Sequence, residues 1–308
     1  MRDDHLLDGA SIRTALVAQA REIVDRSHVT PRVCVLGVDH EDPRAALNVG
    51  LHRRFFERVG FAVDEHLLPP TTTEADLLDA VDAANRDAAV DVVMVLLPLP
   101  AGVDIRRVLA RIDADKEIEG LHVEHASKNL PLSLAEGERV TPVVPEAVLH
   151  LLASRPGGLD LAEVVVLTDP ELTARNPVSR AITGLGTLAA LPPTAMVTVV
   201  PVTHPQARET CARADVLLVS VETPLRVTAA WVKPGAVVID FNAIVNTHEH
   251  PASPPGPVVG GVDAPDAARR AGLVAGIPGG FGPVLLGTVA RRIAAHAARR
   301  RAGLVPVG

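Results

Sequence analysis

The chain has no tyrosine, one tryptophan and five phenylalanines. It has only two cysteines, Cys34 and Cys211, far apart and each in an apolar, strand-like or helical stretch. That argues against a disulfide framework and reads as two buried thiols in a reducing compartment. Positive charge does not cluster: the net charge is -7, and the longest basic run is Arg299, Arg300 and Arg301. This balance argues against a nucleic-acid partner, and the three arginines read as completing a last helical turn. No apolar run reaches membrane-spanning length, and the opening MRDDHLLDGA lacks a signal-peptide pattern. The expectation is a cytoplasmic protein with no membrane partner.

What remains is a globular composition. The 308 residues are 47% hydrophobic and 22% charged, enough for two domains and a sizeable core. Many Ala, Arg, Pro and Val residues hint at a GC-rich genome and carry nothing on function. The chain contains no internal repeat and no low-complexity tract.

Periodicity predicts an amphipathic helix over 11–26, with Ser11 as its cap. RVCVLGV (32–38) reads as a buried strand, 44–59 as a helix stopped by Gly60, and 61–68 as a second strand. Thr71–Thr73 precede Glu74 as a capping-type start to a helix over 74–86. VDVVMVLL (90–97) reads as a third strand, ended by Pro98 and Pro100. The second half repeats the alternation. Helices are predicted at 145–154, at 177–190 opened by Pro177, at 205–214 and at 283–302. Strands are predicted at 162–168, 196–202, 215–221, 235–240 and 257–259. Apolar, non-alternating strands between helices indicate α/β units with parallel sheets. A Pro-, Ser- and Glu-rich stretch near 130–145 separates two such units.

Three segments carry a resemblance: LPPTTTEADLLDAVDAAN (68–85) with VDVVMVLLPLPAGVD (90–104), IDADKEIEGLH (112–122), and GIPGGFGPVLLGTV (276–289). LLDG (6–9), ERVGF (57–61) and ADVLLVSVETP (214–224) agree with them. In order and spacing, over almost the whole chain, these resemble the bifunctional methylenetetrahydrofolate dehydrogenase/cyclohydrolase family. The resemblance implies an N-terminal catalytic-type α/β domain (1–143 with 283–308) and a Rossmann-like domain (144–282). It also implies a cleft between them where folate and nicotinamide meet, and a homodimer through the second domain. Pro278, Gly279, Gly280, Phe281, Gly282 and Pro283 would form the loop on the folate side. Glycines there let backbone approach a flat ligand closely. A tight turn before a helix is the structural alternative.

The chemistry of the family rests on a Tyr and, four residues later, a Lys on one helix face. Here those positions are Asn48 and His52, and a neighbouring family Ser is Ala45. The family Gln before the LPLP turn is Leu96, followed by Pro98. The folate-contacting Asp is Glu119, which keeps the carboxylate on a longer stem. His52 is the residue able to act as general acid/base near neutral pH, with a chemically silent histidine as the alternative. Arg53 and Arg54 are possible sources of positive charge.

The dinucleotide site departs further. The family's Gly-rich turn is LTDPELTARNP (167–177) here, without a glycine. Asp169 and Glu171 bring negative charge where phosphates would sit, with Arg175 and Asn176 in the same stretch. Val202 stands near the usual Arg, with His204 the possible substitute. Glu222 and Asn242 replace family glycines. NADP binding in the usual manner is not expected. His248, Glu249 and His250 have a spacing open to metal, but their Pro-rich surroundings read as a surface turn, and no metal is expected.

Three functions stay open. One is a diverged tetrahydrofolate enzyme without the hydride step, with a folate derivative as substrate. The second is an enzyme repurposed to a non-folate substrate in specialised biosynthesis, with Leu96, Phe55, Phe56 and Phe281 making the cleft more apolar. The third is a non-catalytic partner or regulator that keeps the dimeric frame.

Overall fold

The structure, a computed structural model, describes residues 5–39, 44–128, 141–153, 158–175, 191–247 and 256–303. The chain forms two compact units, residues 15–140 with 288–308 and residues 1–14 with 141–287.

After helix α1 (Gly9–Ser27), the first unit alternates β1 (Arg32–Val38), α2 (Arg44–Val59), β2 (Ala62–Leu68), α3 (Glu74–Arg86) and β3 (Val92–Val95). The strands make a parallel sheet in the order β2-β1-β3, with Val33 opposite Val63 on one side and Val92 on the other. β1 and β3 are buried almost throughout, which explains their unbroken apolar runs. The strand predicted over 90–97 pairs only from Val92 to Val95. Gly60, at φ +108°, donates to the Phe56 carbonyl and ends α2. Thr73 and Asp76 form the reciprocal cap of α3. Two short helices follow, α4 (Ile105–Arg111) and α5 (Val123–Lys128). The Lys116 ammonium is buried and donates to the Ala84, Asn85 and Asp87 carbonyls, closing the C-terminal end of α3.

The second unit has α6 (Val143–Leu152), β4 (Glu163–Thr168), α7 (Pro170–Arg175), β5 (Met196–Pro201), α8 (Ala207–Cys211), β6 (Val216–Ser220) and β7 (Val237–Asp240). A two-stranded antiparallel ribbon follows, β8 (Ile244–Val245) with β9 (Val258–Val259). Then come α9 (Ala264–Ala267), β10 (Leu273–Ala275) and α10 (Phe281–Arg301), which from residue 288 onward belongs to the first unit. Its five-stranded sheet is parallel, in the order β10-β7-β6-β4-β5. The strand order reverses between β4 and β6, so a crevice opens outside their carboxyl ends.

The first 14 residues join the second unit, unlike the expected division at 143 and 282. Leu7 donates to the Val274 carbonyl and Val274 to that of His5, so the N-terminal segment runs beside β10. Ser11 is not the cap of α1; Asp8 is, accepting from the Ala10 amide. The terminal helix starts at Phe281, so Phe281, Gly282 and Pro283 are its first turn rather than loop. Proline is tolerated there because that turn's N–H groups have no intrahelical partner. Arg300 and Arg301 bond to Val90 and Asp91 at the base of β3, more than completing a helical turn. The helix predicted at 177–190 lies outside the described residues. Cys34 and Cys211 are buried, and burial pushes both thiols up to about 12. No helix among the described residues is long and apolar enough to cross a membrane.

Candidate functional site

In the first unit, α2 lies close on β1 because Gly37 has no side chain; a Cβ there would stand 2.3 Å from Val49 Cγ2. This sets Asn48 beside the end of β3. Its amide donates to the Leu97 carbonyl at 2.8 Å, next to the cis Leu97–Pro98 peptide, while the Leu96 amide donates to Leu36 at 2.8 Å. His52 stands one turn further along α2. Its Nδ1 donates to the Asn48 carbonyl at 2.8 Å, and its ring meets Phe56 edge-on at 5.8 Å. A carbonyl only accepts, so Nδ1 carries the proton and neutral His52 offers its Nε2 lone pair. Burial holds the imidazole below its ordinary value, partly offset by the Asn48 bond, which favours the neutral, basic form.

Glu119 lies on a loop wrapped around another carboxylate. Glu117, with its side chain 2% exposed, accepts from the amides of Glu119, Gly120, Leu121 and His122, and from His125 Nδ1 at 3.0 Å. Burial works against the Glu117 charge, but His125 and these amides outweigh it and hold the carboxyl below its ordinary range. Glu119 goes the other way. Burial and then the neighbouring Glu117 charge push it up to about 7, against the pull of Arg292.

In the second unit, the turn after β4 is self-capped. The Asp169 amide continues the β4–β6 ladder by donating to Ser220, and Asp169 Oδ1 accepts from Glu171 at 3.0 Å and more weakly from Leu172. Past the ends of the neighbouring strands β6 and β7, the Asn242 side-chain amide donates to the Val221 carbonyl at 3.0 Å. Asp240 is fully buried, and a Cβ on Gly260 would stand 2.1 Å from its Oδ2. Burial pushes Asp240 up to about 7, against the amides of Val262 and Asn242. Gly9 donates to the Gly279 carbonyl at 2.9 Å, and its missing Cβ would stand 2.0 Å from the Gly280 oxygen. This close approach requires a residue without Cβ at position 9 of LLDG.

Two family models match end to end: the tetrahydrofolate dehydrogenase/cyclohydrolase catalytic domain over residues 7–119 and its NAD(P)-binding domain over 142–301. The chain belongs to the tetrahydrofolate dehydrogenase/cyclohydrolase family. It is 33% identical to bifunctional protein FolD 3 of Rhizorhabdus wittichii, covering 99% of this chain and 96% of that protein. It is also 33% identical to bifunctional protein FolD of Dinoroseobacter shibae, over 91% and 90% of the two chains. Among solved structures, the FolD dehydrogenase/cyclohydrolase of Campylobacter jejuni has a TM-score of 0.80 at 22% identity, covering 96% of this chain and 99% of that one. The Trypanosoma brucei FolD, complexed with NADP cofactor and inhibitor, has 0.79 at 23%, covering 96% and 98%.

Within this family frame, hydrogen bonds join Asn48, His52 and the Leu96–Pro98 turn, and Glu119 belongs to the same unit. Pro278–Pro283 belong to the other unit. The aromatic residues do not form an apolar ligand lining. Phe55 and Phe56 are buried, Phe56 stacks on Phe61 at 6.1 Å, and Phe281 is buried edge-on against Phe241 at 4.5 Å. Arg53 is not a free charge, being paired with Glu57 and Glu65. Ala45 is buried, His204 is exposed and Glu222 half-buried. The Arg175 side chain, Asn176 and the His248–His250 cluster lie outside the described residues. Among the described residues no group of His, Cys, Asp and Glu could hold a metal ion. Sequence reasoning missed Lys116, Glu117, His125 and Asp240, since charged residues carry no local sign of being buried.

Proposed function

We propose that this protein is a one-carbon tetrahydrofolate enzyme working by hydrolysis, without hydride transfer to NADP. The observation that carries this is His52: its Nδ1 proton is held by the Asn48 carbonyl, which puts the lone pair of the neutral ring on Nε2. In the hydrolysis of a 5,10-methenyl bridge, water adds to the bridging carbon while Nε2 removes its proton. That proton returns to the departing ring nitrogen as the C–N bond breaks, and the hydroxyl proton of the adduct passes to solvent, leaving a formyl group. The step needs only water, a proton shuttle and positioning. Glu119 would supply the carboxyl that holds the heterocycle, with Leu96 and Pro98 at the neighbouring turn.

The second unit supports the absence of the hydride step. A diphosphate at the carboxyl end of β4 would need the amides that Asp169 caps with its own carboxylate. Glu171 adds a second negative charge, and Asn242 bridges to Val221 where a glycine would leave space. These residues do not fit NADP. Oligomeric state enters the same reading as a homodimer.

The test is turnover of 5,10-methenyltetrahydrofolate beside that of the methylene compound with NADP. The expected result is hydrolysis of the first and no NADP-dependent oxidation of the second. NADP-dependent oxidation would contradict the reading. Because burial lowers the His52 pKa, its neutral form persists to more acid pH than usual, so kcat for hydrolysis should decline only below pH 6.5. A decline in kcat centred above that value would exclude His52 as the base.

A further inference from the structure

Glu117 and His125 are not used in the mechanism above, yet they are almost wholly buried, with side chains 2% and 8% exposed. The Glu117 carboxylate is the hub of the loop that carries Glu119. Oε1 takes the Glu119 amide at 2.6 Å, and Oε2 takes those of Gly120, Leu121 and His122 at 3.1, 3.0 and 3.1 Å. His125, on the first turn of α5, completes the set through Nδ1, and its ring meets His122 edge-on at 5.9 Å. The loop is tied on its other side, where Arg292 of α10 donates to the Ile118 carbonyl at 2.7 Å.

We propose that Glu117 and His125 are positioning residues, which fix the backbone carrying Glu119 and so present its carboxyl to the heterocycle. This deepens the folate reading and rests on it for the identity of the ring. Four amides and an imidazole N–H make a carboxylate the only small side chain that satisfies the loop; an amide in its place turns an N–H donor toward other donors. The charge that organises the loop also governs Glu119. The charged and titratable groups bearing on the Glu119 carboxyl are Glu117 from its own loop and Arg292 from α10, while His125 and His122 of the adjacent turn flank Glu117. A pterin-like ring offers an amino group and a ring N–H side by side. Two acceptor oxygens match that edge, so the ionised form of Glu119 is the one that binds. Affinity for a reduced folate should therefore weaken as pH falls through about 7.

The experiment follows the Glu119 carboxyl by carbon-13 NMR in the free protein and titrates 5,10-methenyltetrahydrofolate calorimetrically across the same pH range. In the unaltered protein the carboxyl midpoint is expected at about 7. In Glu117→Gln it should move down, because the adjacent negative charge is gone. That movement reports the charge coupling of the two carboxyls, whatever else Glu117 does; the positioning role is read from the His125 variants. His125→Leu, which does not remove that charge, should weaken folate binding about tenfold and lower hydrogen-exchange protection of the 119–122 amides. His125→Asn, whose amide can donate in place of Nδ1, should restore both. Unchanged folate binding and amide protection in His125→Leu, or no rescue by His125→Asn, overturns the positioning role. Amide protection that falls in His125→Leu and is rescued in His125→Asn, in a protein that binds no folate, leaves the positioning role standing and overturns the folate reading.

Discussion

His52→Ala is expected to lower hydrolysis of a methenyl bridge by about 10²- to 10⁴-fold, the usual worth of a positioned general base. Three features of the site support so large an effect. The ring is oriented twice, by Nδ1 donating to Asn48 at 2.8 Å and by its edge-on contact with Phe56 at 5.8 Å. The tautomer is set, because the acceptor is a carbonyl. Burial keeps the imidazole neutral at physiological pH. The loss should fall on kcat, with KM little changed, since binding is assigned to Glu119 and its neighbours. Unchanged kcat in His52→Ala would remove His52 from the mechanism. His52→Lys is the informative companion. It restores the family's residue, yet it should bring no NADP-dependent turnover, because Asp169 still caps the turn after β4 and Asn242 still bridges to Val221.

Gly9→Ala should be the most disruptive small substitution, costing about 3 kcal/mol. The new methyl would stand 2.0 Å from the Gly280 carbonyl oxygen and 3.0 Å from that of Gly279. Both neighbours are backbone, so no side chain can rotate away. The same backbone is held by the Gly9 to Gly279 bond and by Gly280 donating to Gly276, so relief at one point breaks another. The melting temperature should drop by roughly 5–10 °C for a chain of this size. Gly282→Ala is the control. Its Cβ meets nothing within 4 Å, and it lies in the first turn of α10, so its effect should be neutral or mildly stabilising. Equal losses in the two variants would contradict this account of the glycine segment.

Much of the frame was legible because its signals are local. β1 and α2 fall on their predicted residues: a β-branched run buried on both faces and a 3.6-residue apolar stripe each leave their pattern within a few residues. The start of α3 is equally local, since Thr73 and Asp76 cap it within one turn. The shorter helices were not read. α4 begins on the Asp104 side chain, and α5 follows a loop organised by Glu117. Neither is long enough for periodicity to show.

The candidate residues could be named from the resemblance, but their electrostatics could not be read from the sequence. Asn48, His52 and Glu119 could be placed by resemblance, and the Asn48 carbonyl lies four residues before His52 on one helix. Nothing local in EIEG says that Glu117 turns inward and Glu119 is raised, because that division depends on amides and on His125 gathered by the fold. Asp169 was readable as misplaced charge, but only the folded turn assigns it the amides of Glu171 and Leu172. Phe55, Phe56 and Phe281 mislead for the opposite reason, since aromatic residues look the same in sequence whether they line a ligand or fill a core.

The central claim is that folate chemistry persists while the dinucleotide does not. Separate calorimetric titrations with 5,10-methenyltetrahydrofolate, NADP and NAD test it most directly, with thermal shifts as a second reading of the same equilibria. The account predicts binding of the folate and of neither dinucleotide. Tight binding of NADP would contradict it, and no binding of any of the three would move the protein to another substrate or to a non-catalytic role.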